Sequence, residues 1–173
     1  EPFAARIVSD VCSGLGYAHE YFANPQQRGV LHGDVSPDNV LVSYNGAVKV
    51  IDFGLARAAD DADRRDKKTV HGKMRYMAPE RTEGGLIDAR SDLFSLAIVL
   101  YETLTGVHPF GSETGLAAAT ANARNDPRPP RDIVPDLPFA LERILELGLK
   151  RNPEERYASA DLMRRDLEAY LRG

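Results

Sequence analysis

The run Leu93 to Tyr101, nine residues interrupted only by Ser95, constrains this chain more than any other segment. Ser91 and Asp92 stand before it as N-cap residues, and Gly106 follows Thr105 as a helix stop. The spacing therefore predicts a helix over Leu93 to Thr105. Its apolar part is about half of what a bilayer requires, so it is a core helix rather than a membrane span. A helix that is apolar on most sides has no face to give to water. The remaining segments must close around it.

Those segments are themselves mostly helical. Residues 3 to 22 place Phe3, Ile7, Val8, Val11, Cys12, Leu15, Ala18 and Phe22 on one helical face, with Arg6, Asp10 and Glu20 off it. Asn24-Pro25-Gln26-Gln27-Arg28-Gly29 breaks that helix. A short helix is expected over Thr114 to Arg124, then a stiff connection carrying Pro127, Pro129, Pro130, Pro135 and Pro138. Phe139 to Leu149 and Ala158 to Leu171 are the closing helices, separated by Arg151-Asn152-Pro153. Residues 55 to 77 hold many charges and almost no apolar periodicity, which fits a solvated loop.

Composition narrows the class. At 173 residues the chain can build one domain with its own core. Twenty-two Lys and Arg against 26 Asp and Glu leave a net charge of -4, which argues against a nucleic-acid partner. Cys12 is the single cysteine, so there is no internal disulfide and no thiolate zinc site. The chain opens Glu1-Pro2-Phe3 without a charged-then-apolar leader. The expectation is a cytoplasmic protein with no membrane contact from this segment. A start so close to an amphipathic helix also suggests a piece of something longer.

One β-feature interrupts the helices. Val40-Leu41-Val42 and Val48-Lys49-Val50-Ile51 flank Ser43 to Ala47, with Asn45-Gly46 as the turn of a hairpin. The expected fold class is mainly α with this small β-hairpin. The hairpin sets the distance between His32-Gly33-Asp34-Val35-Ser36-Pro37-Asp38-Asn39 and Asp52-Phe53-Gly54. Asp34 is then a candidate general base, and Asn39 and Asp52 offer the hard oxygens that magnesium prefers. Phosphoryl transfer asks for little more than a held hydroxyl and neutralised phosphates.

The same order continues through Ala78-Pro79-Glu80, Ser91-Asp92 and Arg156. On these residues the chain resembles the eukaryotic-like Ser/Thr protein kinase family, in the C-terminal helical lobe of its catalytic domain. The resemblance implies a protein-kinase-like fold over residues 1–173 with the N-lobe absent. Its parts are a catalytic loop at 32–39, a magnesium loop at 52–54 and an activation segment at 52–80. It implies ATP and Mg2+ as cofactors, a protein substrate, and the missing N-lobe as a partner. Asp34 is the implied catalytic base, Asn39 and Asp52 the metal ligands, and Leu41 the floor beneath the adenine. Glu80 is expected to pair with Arg156, and Asp92 to hold the catalytic-loop backbone; a plain surface pair and a plain N-cap are the simpler alternatives. His32 and Phe53 match an internal hydrophobic spine. Thr69 falls at the family's phosphosite.

Two positions depart from the pattern. Ser36 stands where the family has a catalytic-loop Lys, and Lys73 stands where it has a Thr beside that Lys. The two changes read as a swap, with the Lys73 ammonium serving Asp34 and the phosphate as a point charge; the alternative is a solvated Lys73. Gly33 removes the Arg that grips an activation-loop phosphate, so phosphorylation of Thr69 becomes less necessary. Two function classes stay open: the catalytic lobe of an ATP-dependent Ser/Thr kinase, inactive without its N-lobe, or a degenerate kinase-like binding or scaffold module.

Overall fold

The computed structural model describes residues 1–20, 29–53, 74–111 and 114–173. Its elements are α1 (Pro2–Glu20), β1 (Val40–Val42), β2 (Val48–Val50), α2 (Pro79–Glu83), α3 (Ala89–Thr105), α4 (Gly115–Arg124), α5 (Phe139–Gly148) and α6 (Ala160–Arg172). Single 3-10 turns at Pro37–Asn39, Met74–Tyr76, Pro130–Asp132 and Pro153–Glu155 join them.

The long apolar helix is the centre. On α3, Leu93, Phe94, Leu96, Ala97, Ile98, Leu100 and Tyr101 are fully buried. Tyr101 carries a hydroxyl into this core and donates it to the Arg128 carbonyl at 2.7 Å, so no polar atom is stranded there. Helices α1 and α5 pack on α3, and α6 packs on both α1 and α5. α6 does so through Ala160, Met163 and Leu167, a helical stripe. Its outer face carries ion pairs of Arg164 and Arg165 with Asp161. At Gly148, α5 approaches α3 so closely that a Cβ would stand 2.7 Å from the Ala97 Cβ.

Three expectations change. Helix α3 starts at Ala89, capped by Asp88, whose side chain accepts the Arg90 N–H at 2.8 Å. Ser91 and Asp92 lie inside its first turn, buried, with their side chains engaged across the fold. Phe3 is exposed, because the buried face of α1 is centred on Ala4, Ala5, Val8, Val11, Cys12 and Leu15, and Phe3 projects from the far side. The second strand ends at Val50, although the Ile51 N–H still donates to the Asn39 carbonyl at 3.0 Å. Phe22 and most of the charged loop, residues 54–73, lie outside the described residues.

The hairpin pairs Val40 with Val50, Leu41 with Lys49 and Val42 with Val48, antiparallel. It lies against α1 through β2, which buries Val40, Val48 and Val50 in part and leaves Leu41 and Val42 about half exposed.

Candidate active site

The segment that precedes β1 is held by its own side chains. Pro37 opens the 3-10 turn Pro37–Asn39, where its fixed φ is suited and its missing N–H is not needed. The turn brings Asn39 back over Asp34. The Asn39 amide nitrogen donates to the Asp34 carbonyl at 2.6 Å and to Asp34 Oδ2 at 3.2 Å. Both partners accept only, so the amide orientation is dictated, and Asn39 Oδ1 points away from Asp34.

The same segment is held from below by α3. Asp92, 2% exposed, accepts the His32 N–H through Oδ2 at 2.9 Å and the Gly33 N–H through Oδ1 at 2.8 Å. A third donor, His19 Nε2 at the end of α1, reaches Oδ2 at 2.8 Å. His19 Nδ1 is buried without a partner among the described residues. His32 is fully buried. Its Nδ1 accepts the Asp34 N–H at 3.2 Å, which leaves Nε2 as the protonated nitrogen donating to the Ile51 carbonyl at 2.8 Å. The imidazole thus ties the first loop to the second, and its ring lies 4.6 Å from that of Phe53.

Asp52 follows with φ +62, the only non-glycine at positive φ among the described residues. That conformation costs about 1–3 kcal/mol and persists only where the surroundings impose it. Here the Ile51 N–H to Asn39 bond and the His32 bond to the Ile51 carbonyl fix the preceding peptide groups. The Asp52 side chain is exposed. An amide oxygen at 39 and a carboxylate at 52 are hard donors that fit a small divalent cation completing its shell with phosphate and water oxygens. Among the described residues no three His, Cys, Asp or Glu side chains cluster, so no all-protein cage is built.

A second layer fixes the segment after residue 73. Arg156 sets two guanidinium nitrogens on Glu80, at 2.9 Å to Oε1 and 2.8 Å to Oε2, and the Ser91 hydroxyl donates to Oε1 at 2.6 Å. Burial alone would push the Glu80 carboxyl up; the bonds from Arg156 and Ser91 outweigh it and hold it below the usual range. Just before it, three consecutive carbonyls are gripped. Arg75 O accepts from His108 Nε2 and Asn122 Nδ2, Tyr76 O from Ser95 Oγ, and Met77 O from Asn122 Nδ2. Burial lowers the His108 pKa, which keeps it neutral, with Nδ1 accepting the Phe110 N–H. Residues 75–77 therefore form a rigid lip held against α3 and α4.

His19 and Arg81 carry no signal in the sequence, and Ser91 has there the chemistry of a cap. Arg81, on α2, donates through Nη1 to the Gly33 carbonyl. Nothing local in the sequence marks these residues, because each acts on a partner more than ten positions away. Lys73, Thr69 and Gly54 lie outside the described residues. Ser36 is 1% exposed, and its hydroxyl has no partner among the described residues.

Comparison with known proteins shows the family and the fold. The sequence pattern of the protein kinase domain family matches residues 1–167. The chain is 41% identical over 171 residues to the tyrosine-protein kinase MasK of Myxococcus xanthus, covering 98% of this chain and 26% of MasK. It is 41% identical over 166 residues to the serine/threonine-protein kinase PknB of Mycolicibacterium smegmatis, covering 95% of this chain and 25% of PknB. The chain thus spans about a quarter of the length of these relatives. Among solved structures, the kinase domain of Mycobacterium tuberculosis PknI, as a double mutant, superposes with a TM-score of 0.69 at 25% identity. That match covers 97% of this chain and 55% of the PknI domain.

Proposed function

Because the chain belongs to the protein kinase domain family, we propose that it is the catalytic-loop lobe of an enzyme that transfers the ATP γ-phosphate to a protein Ser or Thr hydroxyl. The observation that carries this reading is the Asn39 amide clamped on Asp34 while the Asn39 backbone is bonded to Ile51. A base and two oxygen ligands are thereby joined through one rigid unit.

In this reading Asp34 accepts the proton of the substrate hydroxyl as it attacks, and Asn39 holds the Asp34 carboxylate in place. Asn39 Oδ1 and the Asp52 carboxylate would hold magnesium, which when bound would neutralise charge on the phosphates. Lys73 supplies the cation that Ser36 lacks. The lip at 75–77 seats the polypeptide around the acceptor residue. Val30, Leu41 and Val42 are each more than 40% exposed, and the N-lobe covers the apolar surface around Leu41, with Leu41 beneath the adenine. Residues 1–173 form the C-terminal lobe alone and transfer no phosphate without that partner. A reducing, ATP-supplied compartment, the cytoplasm, suits buried Cys12, whose thiol burial pushes up to about 12.

The names of the relatives divide between tyrosine and serine/threonine; the Ser/Thr choice here rests on the resemblance of Pro37 and of Tyr76 to Glu80 to the Ser/Thr kinase pattern. The test is phosphate transfer from ATP to dephosphorylated casein by the complete protein. Asp34→Asn should lower the rate by about 10²-fold or more, with label recovered on Ser and Thr. Undiminished transfer by Asp34→Asn would sink the assignment of the base, and label on Tyr the assignment of the acceptor. The buried Ser36 favours a second reading, a scaffold without turnover. ATP binding by the complete protein with no transfer would decide for it.

A further inference from the structure

The peptide unit between Gly33 and Asp34 is pinned at both ends. Its N–H, from Asp34, donates to His32 Nδ1 at 3.2 Å, and its oxygen, from Gly33, accepts from the Arg81 guanidinium. Gly33 itself has φ +71. Glycine enters that region without a Cβ penalty, but it also leaves it as readily, so a peptide plane beside it turns freely unless something outside holds it. Asp92 fixes the Gly33 N–H on the other side at 2.8 Å. That bond acts on the preceding peptide, so the Gly33–Asp34 plane is held by the 3.2 Å contact of its N–H with His32 Nδ1 and by Arg81 on its oxygen. Rotation of the Gly33–Asp34 plane would swing the Asp34 Cα–Cβ bond and pull its carboxylate from the Asn39 amide.

Arg81 is suited to prevent this. It sits one residue after Glu80, whose carboxylate is locked by Arg156, so α2 presents the guanidinium from an anchored base. Unlike Arg90, Arg156 and Arg164, it pairs with no carboxylate among the described residues. We propose that Arg81 is a positioning residue for Asp34. Its guanidinium locks the Gly33–Asp34 peptide from helix α2 and does for the loop what no side chain at position 33 can do from within it. The consequence is a base oriented by the anchored end of the activation segment rather than by a phosphate on that segment.

This inference rests on Asp34 being the base, and the experiment separates the two. In the complete protein, Arg81→Ala should lower kcat for casein phosphorylation by about ten- to a hundred-fold, with KM for ATP changed less than about three-fold. Added guanidinium ion should restore part of the lost rate to Arg81→Ala and none to Asp34→Asn. Arg165→Ala, on the outer face of α6, should match the wild type. Independently of activity, hydrogen exchange at the Asp34 amide should accelerate in Arg81→Ala while Tm falls little. Unchanged exchange at Asp34 would overturn the positioning role, whatever the rates. So would a loss of rate that guanidinium does not rescue and that tracks a fall in Tm. If wild type and Asp34→Asn are equally inactive, the kinase reading fails, and the exchange experiment still judges Arg81.

Discussion

Replacing Arg156 by Leu should be among the most damaging single changes in this chain. The guanidinium makes two bonds to Glu80 and further bonds to the carbonyls of Arg90 (3.2 Å), Lys150 (2.7 Å) and Arg151 (2.7 Å). Its carbon lies 4.6 Å from the centre of the Phe94 ring. Summing five bonds to a charged group at about 1.5–3 kcal/mol each overshoots, because the unfolded chain hydrates the guanidinium. The better guide is the loss of one partner of a buried pair, about 3–5 kcal/mol, most of it the penalty of leaving Glu80 charged and dry. At about 2–4 °C per kcal/mol for a domain of this size, Tm should fall by about 6–20 °C. The assay is urea and thermal unfolding of the complete protein by circular dichroism. The double variant Glu80→Gln with Arg156→Leu should cost less than the sum of the singles, because no charge is then stranded. The pair also sets a pH dependence. The Glu80 carboxyl lies below its ordinary 4.5 in the fold, so its contribution is present above that value and is lost as pH falls through the folded pKa. The stability gap between wild type and Glu80→Gln should close in acid. A cost below about 1 kcal/mol for Arg156→Leu, the range of an exposed pair, would refute the reasoning.

Gly148→Ala should destabilise by about 1–3 kcal/mol, because its methyl would overlap Ala97 on the central helix; Ala97→Gly in the same chain should recover much of the loss. Lys73→Ala in the complete protein should lower kcat, and an unchanged kcat beside an inactive Asp34→Ala would remove the Ser36–Lys73 exchange. Thr69→Ala should lower activity only modestly, measured by casein phosphorylation; a loss near that of Asp34→Ala would show that phosphorylation there is needed after all.

The sequence carried the fold class and the short elements that display the candidate residues because those features are written locally. An apolar run with a glycine stop announces α3, alternating valines about Asn45-Gly46 announce the hairpin, and the spacing of Asp34, Asn39 and Asp52 reflects one turn and one hairpin of set length. Helix starts are less legible. Ser91 and Asp92 have the chemistry of caps, yet Asp88 takes that place. Their oxygens are drawn to Glu80, His32 and Gly33, distant in sequence and near in space.

What sequence alone determined is therefore which chemical groups are present and which short elements display them. The tertiary structure decided what holds those groups. Asp92 gathers three donors from two other segments, His32 bridges two loops with a dictated proton, and Arg81 reaches the carbonyl before Asp34. The physical reason is that hydrogen bonds to buried carbonyls and carboxylates depend on direction and distance in three dimensions. No periodicity along the chain encodes them.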